Sequence, residues 1–204
     1  MRIGIAGPGA VGLFFLSRFI RKDNSNPPVL LGSNKKNITR LRKKKIVVTT
    51  GTKEFFINPQ DFLISAKPAS LDIIFLAVKS PNLKNAILNS RRFLVPDGAL
   101  VSLANGIFSI GQLQRCAGKN PLLLGAVFAG LDRVSSSEVV CYADWDSPVI
   151  VLHRDSLNSN AIDLARRALE SAGLPFIFHD GRLDDLLWSK NAYVAVLGPL
   201  GTLL

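Results

Sequence analysis

A glycine-rich turn and three polar side chains are the candidate functional residues of this 204-residue chain. The turn consists of Gly7, Pro8, Gly9, Ala10, Val11 and Gly12. Its glycines have the spacing G-x-G-x-x-G, which between a strand and a helix lets the backbone approach a pyrophosphate. The N-terminus of the following helix adds a partial positive charge. The turn predicts a dinucleotide site, and the alternative is a glycine turn without a ligand.

The residues after the second predicted strand, 29–31, distinguish the two nicotinamide dinucleotides. Proteins that bind NAD typically place Asp or Glu there, where the carboxylate accepts hydrogen bonds from the ribose 2′-OH. Here the sequence continues GSNKK, and the next acidic residue is Glu54. Ser33 can donate a hydrogen bond to a 2′-phosphate, and Lys35 or Lys36 can neutralise its charge. We therefore expect NADP(H) as the cofactor.

Lys79, Asn105 and Lys190 are the polar side chains that could act on a substrate. Lys79 and Asn105 follow the predicted strands 72–78 and 99–103, and open α/β sheets bind ligands at the carboxyl ends of strands. Lys190 lies within the apolar stripe of the last predicted helix, where desolvation would lower its pKa and suit it to donate a proton. The alternatives are a solvated strand end for Lys79, an Asn-Gly turn for Asn105 and a snorkelling side chain for Lys190.

The sequence around these residues predicts alternating strands and helices. Strand 2–6, helix 13–22 and strand 29–31 form one βαβ unit around the glycine turn, and 46–50 with 54–57 form a hairpin. Further strands are predicted at 72–78, 99–103, 122–127, 137–143, 148–153 and 174–178, and further helices at 36–43, 82–93, 159–172 and from 182 onward. The fold class is therefore α/β, a Rossmann-type doubly wound parallel sheet with an antiparallel extension formed by 137–143 and 148–153.

Composition limits the function classes. The chain is 48% hydrophobic and 20% charged, which is typical of a soluble globular protein. No uninterrupted apolar run reaches the ~20 residues of a membrane span, so we expect a cytoplasmic protein with no membrane partner. Cys116 and Cys141 have no metal-ligand spacing, so no metal is expected.

The net charge of +10 is concentrated in the first half of the chain. Residues 1–92 contain 17 Lys and Arg against 4 Asp and Glu, and the densest run is 35–45. Three interpretations compete: a solvated surface, an anion site for a phosphorylated cofactor, or a nucleic-acid patch. Because no aromatic residues interleave the run, we expect no nucleic-acid partner.

Three further segments, taken with the glycine turn, resemble the ketopantoate reductase (2-dehydropantoate 2-reductase) family. They are Leu76-Ala77-Val78-Lys79, Leu103-Ala104-Asn105-Gly106 and Asp185-Leu186-Leu187-Trp188-Ser189-Lys190. The resemblance covers essentially the whole chain. It implies NADPH-dependent reduction of 2-dehydropantoate, or a related 2-oxo acid, to the 2-hydroxy acid, as in pantothenate biosynthesis. It also implies that Lys79 and Asn105 contact the nicotinamide end of the cofactor, that Asn105 and Lys190 bind substrate, and that Lys190 donates the proton.

The chain departs from the family pattern in two places. The family's Arg at the second strand tip is replaced by Ser33, and its two asparagines after the lysine fall on Val194 and Gly198. We expect an NADP-binding Rossmann domain over 1–180, and over 181–204 the first helix of an all-α substrate domain that is cut short.

Three explanations of the short helical part stay open: a truncated gene product, a degenerate homologue, or a homo-oligomer that covers the apolar C-terminal helix. The functional hypotheses are accordingly a reductase and a non-catalytic NADP(H)-binding remnant or sensor. A basic protein that associates with nucleic acid is a third and weaker hypothesis.

Overall fold

The computed structural model describes residues 1–20, 26–32, 35–142, 150–154 and 159–203, without the side chains of residues 35–37, 193 and 197–203. The strands are β1 Ile3–Ala6, β2 Val29–Leu31, β3 Ile46–Thr50, β4 Lys53–Ile57, β5 Leu71–Leu76, β6 Leu94–Ser102, β7 Leu122–Val127, β8 Leu131–Ser135, β9 Glu138–Cys141, β10 Ile150–His153 and β11 Phe176–His179. The helices are α1 Ala10–Ile20, α2 Lys35–Leu41, α3 Leu83–Ser90, α4 Ile110–Ala117, α5 Ser159–Ala172 and α6 Leu183–Leu203.

The main sheet has seven strands in the order β11-β10-β7-β6-β5-β1-β2. The five strands from β7 to β2 run parallel to one another, and β10 joins β7 in antiparallel orientation. The chain leaves β1 towards β2 on one side and later returns to β5 on the other. Such a switch point opens a crevice at the carboxyl ends of the strands, where α/β sheets bind ligands. The predicted Rossmann-type sheet is confirmed.

Side chains of the sheet alternate between two hydrophobic layers, as the period of two in a strand requires. Ile73 and Phe75 of β5 pack with α1 and α5, whereas Ile74 and Leu76 pack with α3 and α4. The rings of Phe19 and Phe75 are 5.3 Å apart between their centres, which anchors α1 on the sheet. Because helices cover both faces, the central strands are apolar over most of their length.

A second sheet of four strands, ordered β4-β3-β9-β8, extends the fold beside α1. The predicted hairpin is present as β3 and β4, joined through Gly51 at a φ of +56°. The predicted antiparallel extension is divided between the two sheets. β9 pairs antiparallel with β8 and parallel with β3, and β10 pairs antiparallel with β7.

Several boundaries differ from the sequence prediction. Two elements, β8 and α4, were not predicted: β8 is mostly exposed and lacks alternation, and α4 is short and includes Gly111. Helix α5 has the predicted bounds and ends before Gly173, whose φ is +60°. The helix predicted over 82–93 ends at Ser90 and continues as a 3₁₀ turn.

Candidate active site

The glycine turn occupies the carboxyl end of β1 in a conformation that excludes side chains. Gly7 has a φ of +109°, and its N–H donates a hydrogen bond of 2.9 Å to the Leu31 carbonyl of the neighbouring strand. A Cβ atom on Gly7 would lie 2.4 Å from the Ala77 carbonyl oxygen, so a side chain is sterically forbidden there. The turn is therefore held between the ends of β2 and β5.

Gly12 and Gly9 have opposite environments within this turn. A Cβ atom on Gly12 would lie 1.8 Å from the Gly7 carbonyl oxygen, because α1 packs directly on the turn. For Gly9, the nearest heavy atom to such a Cβ would be the Ala77 oxygen, 4.0 Å away. The first N–H groups of a helix have no intrahelical acceptor, so those at the start of α1 are available to an anion. The open face at Gly9 and these N–H groups fit a pyrophosphate.

The tip of β2 adjoins the same turn. A Cβ atom on Gly32 would lie 2.4 Å from Cδ1 of Ile38 and 3.5 Å from Cδ of Pro8, so β2, α2 and the glycine turn meet at this point. Ser33 lies outside the described residues, and Lys35 opens α2 with a side chain that is likewise outside them. Their predicted contacts to a 2′-phosphate stay predictions.

Lys79 and Asn105 lie at the ends of adjacent parallel strands, β5 and β6, and both are exposed. The two loops are tied together, because the Ser80 hydroxyl donates a hydrogen bond to the Asn105 carbonyl. Gly106 has a φ of +127°, and a Cβ there would lie 3.0 Å from Oγ of Ser80. Ser80 was not singled out in the sequence, although its place directly after the strand-end lysine is a usable signal.

Lys190 is buried, with 6% of its surface exposed, although it carries an ammonium group. Leu186 and Leu187, one turn earlier on α6, are also buried, as the predicted apolar stripe requires. Burial lowers the pKa of Lys190 from its usual value through desolvation. The predicted stripe continues beyond Lys190 through Val194. The side chain of Val194 is 40% exposed, so this face of α6 is no longer buried at that position.

The ammonium nitrogen of Lys190 lies 4.6 Å from the ring centre of Phe128, which directly follows β7. This cation–π contact places Lys190 at the carboxyl end of β7, one strand beyond Asn105. Phe128 was not predicted as a site residue, although it occupies the first position after a fully buried strand. The neighbouring Trp188 and Asp185 are exposed.

The site residues therefore form a row along one edge of the main sheet. The glycine turn ends β1, Lys79 follows β5, Asn105 follows β6, and Lys190 reaches the end of β7. The strand that carries the glycine turn and the strand next to Lys190 are three strand spacings apart, about 14 Å in total. The row has a glycine turn at a helix N-terminus at one end, polar groups in the middle and a buried ammonium at the other end.

Among the helices described, none combines the length and the apolarity that crossing a membrane requires. Nor does the described part of the chain bring together three or more His, Cys, Asp or Glu side chains that could hold a metal ion.

Solved structures share this fold at low sequence identity. The 2-dehydropantoate 2-reductase from Methylococcus capsulatus superposes with a TM-score of 0.72 and 18% identity, over 100% of this chain and 64% of its own. A dimeric ketopantoate reductase from Staphylococcus aureus gives 0.66 and 15%, over 93% and 58%. A D-mandelate dehydrogenase, solved with NADH and anilino(oxo)acetate, gives 0.70 and 19%, over 88% and 57%. The chain thus spans about three fifths of the length of these structures.

A comparison with curated protein sequences gave no match. The family described as ketopantoate reductase PanE/ApbA, in contrast, matches residues 3–150, nearly three quarters of the chain. The match includes the glycine turn, Lys79, Asn105 and Phe128, and the parallel sheet is that of the N-terminal Rossmann-like domain of these reductases. The chain belongs to the ketopantoate reductase PanE/ApbA family.

Proposed function

We propose that this protein uses NADPH to reduce 2-dehydropantoate, or a related 2-oxo acid, to the 2-hydroxy acid. The observation that carries the proposal is the burial of the Lys190 ammonium at the sheet edge where the glycine turn lies. A buried, charged lysine costs folding free energy, and a proton donor beside a bound ketone is a function that explains it. A role in pantothenate biosynthesis in the cytoplasm is part of the proposal.

The glycine turn would hold the cofactor's pyrophosphate against the first N–H groups of α1, over the open face at Gly9. Ser33 and Lys35 would contact the 2′-phosphate, which favours NADP(H) over NAD(H). Lys79 and Asn105 would line the nicotinamide end of the row. When bound, the cofactor supplies the hydride that reduces the ketone carbon.

Lys190 would supply the proton. As the carbonyl carbon is reduced, its oxygen gains negative charge, which the ammonium stabilises and then neutralises by giving up one proton. The lowered pKa makes Lys190 a stronger acid than a solvated lysine, so the transfer is easier. Asn105 would hold the substrate through its side-chain amide, one strand away. The neutral amine is then reprotonated from solvent.

The same proposal divides the chain into a cofactor domain, 1–180, and the start of a helical substrate domain, 181–204. On α6, the side chains of Trp188, Val194 and Val196 are 61%, 40% and 60% exposed. Such apolar exposure favours an assembly that covers this helix, and a homo-oligomer would do so.

A second candidate is a protein that binds NADP(H) without turnover. The observation that favours it is the exposed Val194, at a position where the family pattern carries a substrate-binding asparagine. With fewer groups to orient the substrate, a proton donor loses part of the rate gain that proximity provides.

NADPH titration of the purified chain, followed by NADPH oxidation with ketopantoate, separates the two candidates. For a reductase, Lys190→Ala should lower kcat by about 10²–10⁴-fold and leave the Kd for NADPH within about twofold. Lys119→Ala is the matched control, because this exposed lysine precedes the amino end of the same strand, β7. Binding without turnover selects the second candidate, and absence of NADPH binding refutes both.

A further inference from the structure

The contact between Phe128 and Lys190 joins a rigid element to a flexible side chain. β7 is buried along its whole length and pairs with β6 on one side and β10 on the other. Phe128 is the next residue, so its place in the fold follows directly from the position of the strand end. The lysine side chain, by contrast, has four rotatable bonds before its ammonium. The ring can therefore define where the ammonium rests.

Burial of Lys190 strengthens the attraction between its ammonium and the Phe128 ring. An aromatic ring has a negative face, which attracts a cation within about 6 Å of its centre, and desolvation strengthens the attraction. Lys190 is 6% exposed, and its nitrogen lies 4.6 Å from the Phe128 ring centre. The ring favours the charged form of the amine, whereas burial favours the neutral form. The two effects oppose each other at this lysine.

We propose that Phe128 is a positioning residue that holds the Lys190 ammonium over its ring face at the carboxyl end of β7. This inference rests on the proposed function, in which Lys190 donates the proton. When the N–H bond breaks and the O–H bond of the product forms, the amine becomes neutral and its attraction to the ring is lost. Uptake of a proton from solvent restores the charge and returns the nitrogen to its resting place.

The contact can be tested by NMR on the full chain, without cofactor or substrate. The Cε resonance of Lys190, in protein grown with [6-¹³C]lysine, reports its protonation, and Lys190→Arg assigns the signal by removing it. Phe128→Leu removes the ring, and a series with one, two or three fluorine atoms on the Phe128 ring weakens the negative face with little change of shape. The same series at Phe93, a half-buried phenylalanine just before β6, is the control.

We expect the acid-dissociation constant of Lys190 to rise stepwise along the fluorinated series and about 2- to 30-fold in Phe128→Leu. Phe128→Tyr, which keeps the ring, should remain within about twofold of the parent, and the Phe93 series should change nothing. A constant that is the same in all Phe128 variants would overturn the proposal. Because the fluorinated rings preserve packing, a Phe128→Leu chain that does not fold leaves the test intact.

Measurements of kcat and KM against pH distinguish a failure of this inference from a failure of the proposed function. With an active protein, the pH at which kcat falls should move along the Phe128 series together with the NMR constant, while KM for the oxo acid stays nearly constant. If the NMR constant responds but the pH profile does not, Phe128 holds Lys190 and Lys190 is not the donor, which refutes the positioning role. If no turnover occurs, the proposed reaction fails and the NMR series alone decides whether the ring holds the ammonium.

Discussion

A Cβ atom on Gly12 would lie 1.8 Å from the carbonyl oxygen of Gly7, whereas the nearest atom to one on Gly9 would be 4.0 Å away. Two glycines of one motif thus have different physical reasons to be glycine. Gly12 is required by the packing of α1 on the turn, and Gly9 leaves open the space in which a pyrophosphate would lie. The difference allows folding and binding to be tested separately.

We therefore expect Gly12→Ala to lower the free energy of unfolding by about 1–3 kcal/mol or more, because the added methyl group must displace backbone. Gly9→Ala should lower it by only about 1 kcal/mol or less, because the site is open and the remaining cost is that of replacing a glycine by alanine directly before α1. NADPH affinity should nevertheless fall at least about tenfold in Gly9→Ala, a loss of ~1.4 kcal/mol. Urea unfolding and NADPH titration measure the two quantities, and equal destabilisation by both substitutions would contradict this account.

The buried Lys190 should make stability depend on pH in a defined direction. Its pKa is lowered in the folded protein, while in the unfolded chain it returns to its ordinary value of 10.5. Between these two values the unfolded state binds more protons, so the free energy of unfolding rises with pH. Below the folded pKa both states are protonated and the full desolvation cost remains.

Lys190→Met, which keeps the length and removes the charge, supplies the reference for this effect. The variant should be more stable than the parent at neutral pH, and the difference should shrink as pH approaches 10.5. Urea unfolding at a series of pH values measures it. A difference that stays constant over the whole range would mean that Lys190 is not desolvated in the folded protein.

Cofactor choice should depend on the basic residues that follow β2. Lys35→Glu is expected to weaken NADPH binding by at least about tenfold, because a carboxylate repels the 2′-phosphate, and to leave NADH binding nearly unchanged. Lys119→Glu makes the same change of charge before the amino end of β7, at the opposite end of the parallel strands, and serves as the control. An equal loss for both cofactors would place Lys35 away from the 2′-phosphate.

The turn that leads into α6 is held by two histidines, which are paired neighbours on β10 and β11. Nε2 of His153 lies 3.1 Å from the Gly181 carbonyl oxygen, and Nε2 of His179 lies 3.2 Å from that of Arg182. We expect His153→Ala/His179→Ala to speed amide hydrogen exchange over 180–186 by about fivefold or more, since each hydrogen bond contributes ~1 kcal/mol.

Exchange in α5 is the internal control for this variant, because that helix packs against β5, β6 and β7 on one face of the main sheet, whereas the two imidazoles contact the Gly181 and Arg182 carbonyls. Faster exchange throughout the chain would indicate a global loss of stability. Unchanged exchange over 180–186 would show that the two imidazoles do not hold the turn.

The sequence sufficed for features whose signal is local. The glycine spacing identified the turn, the apolar run at β5 identified a strand buried on both faces, and the helical period around Lys190 predicted its burial, which is confirmed. The roles of Lys79, Asn105 and Lys190 stay predictions. The sequence did not indicate Phe128 as a site residue, because its contact is with Lys190, 62 positions later in the chain. The parallel pairing of β3 with β9 was not predictable for the same reason, since the two strands lie far apart in the sequence.

The pairing of β3 with β9 also determines when the second sheet can be completed during synthesis of the chain. The β3–β4 hairpin joins adjacent segments and can form as soon as it is made, whereas β3 pairs with β9 through Val47 and Glu138, which lie 91 residues apart. At a synthesis rate of about 5–20 residues per second, the free edge of β3 must wait roughly 5–20 s for its partner strand. During that interval the nascent hairpin presents an unpaired strand edge, at which pairing with another chain, and hence aggregation, can begin.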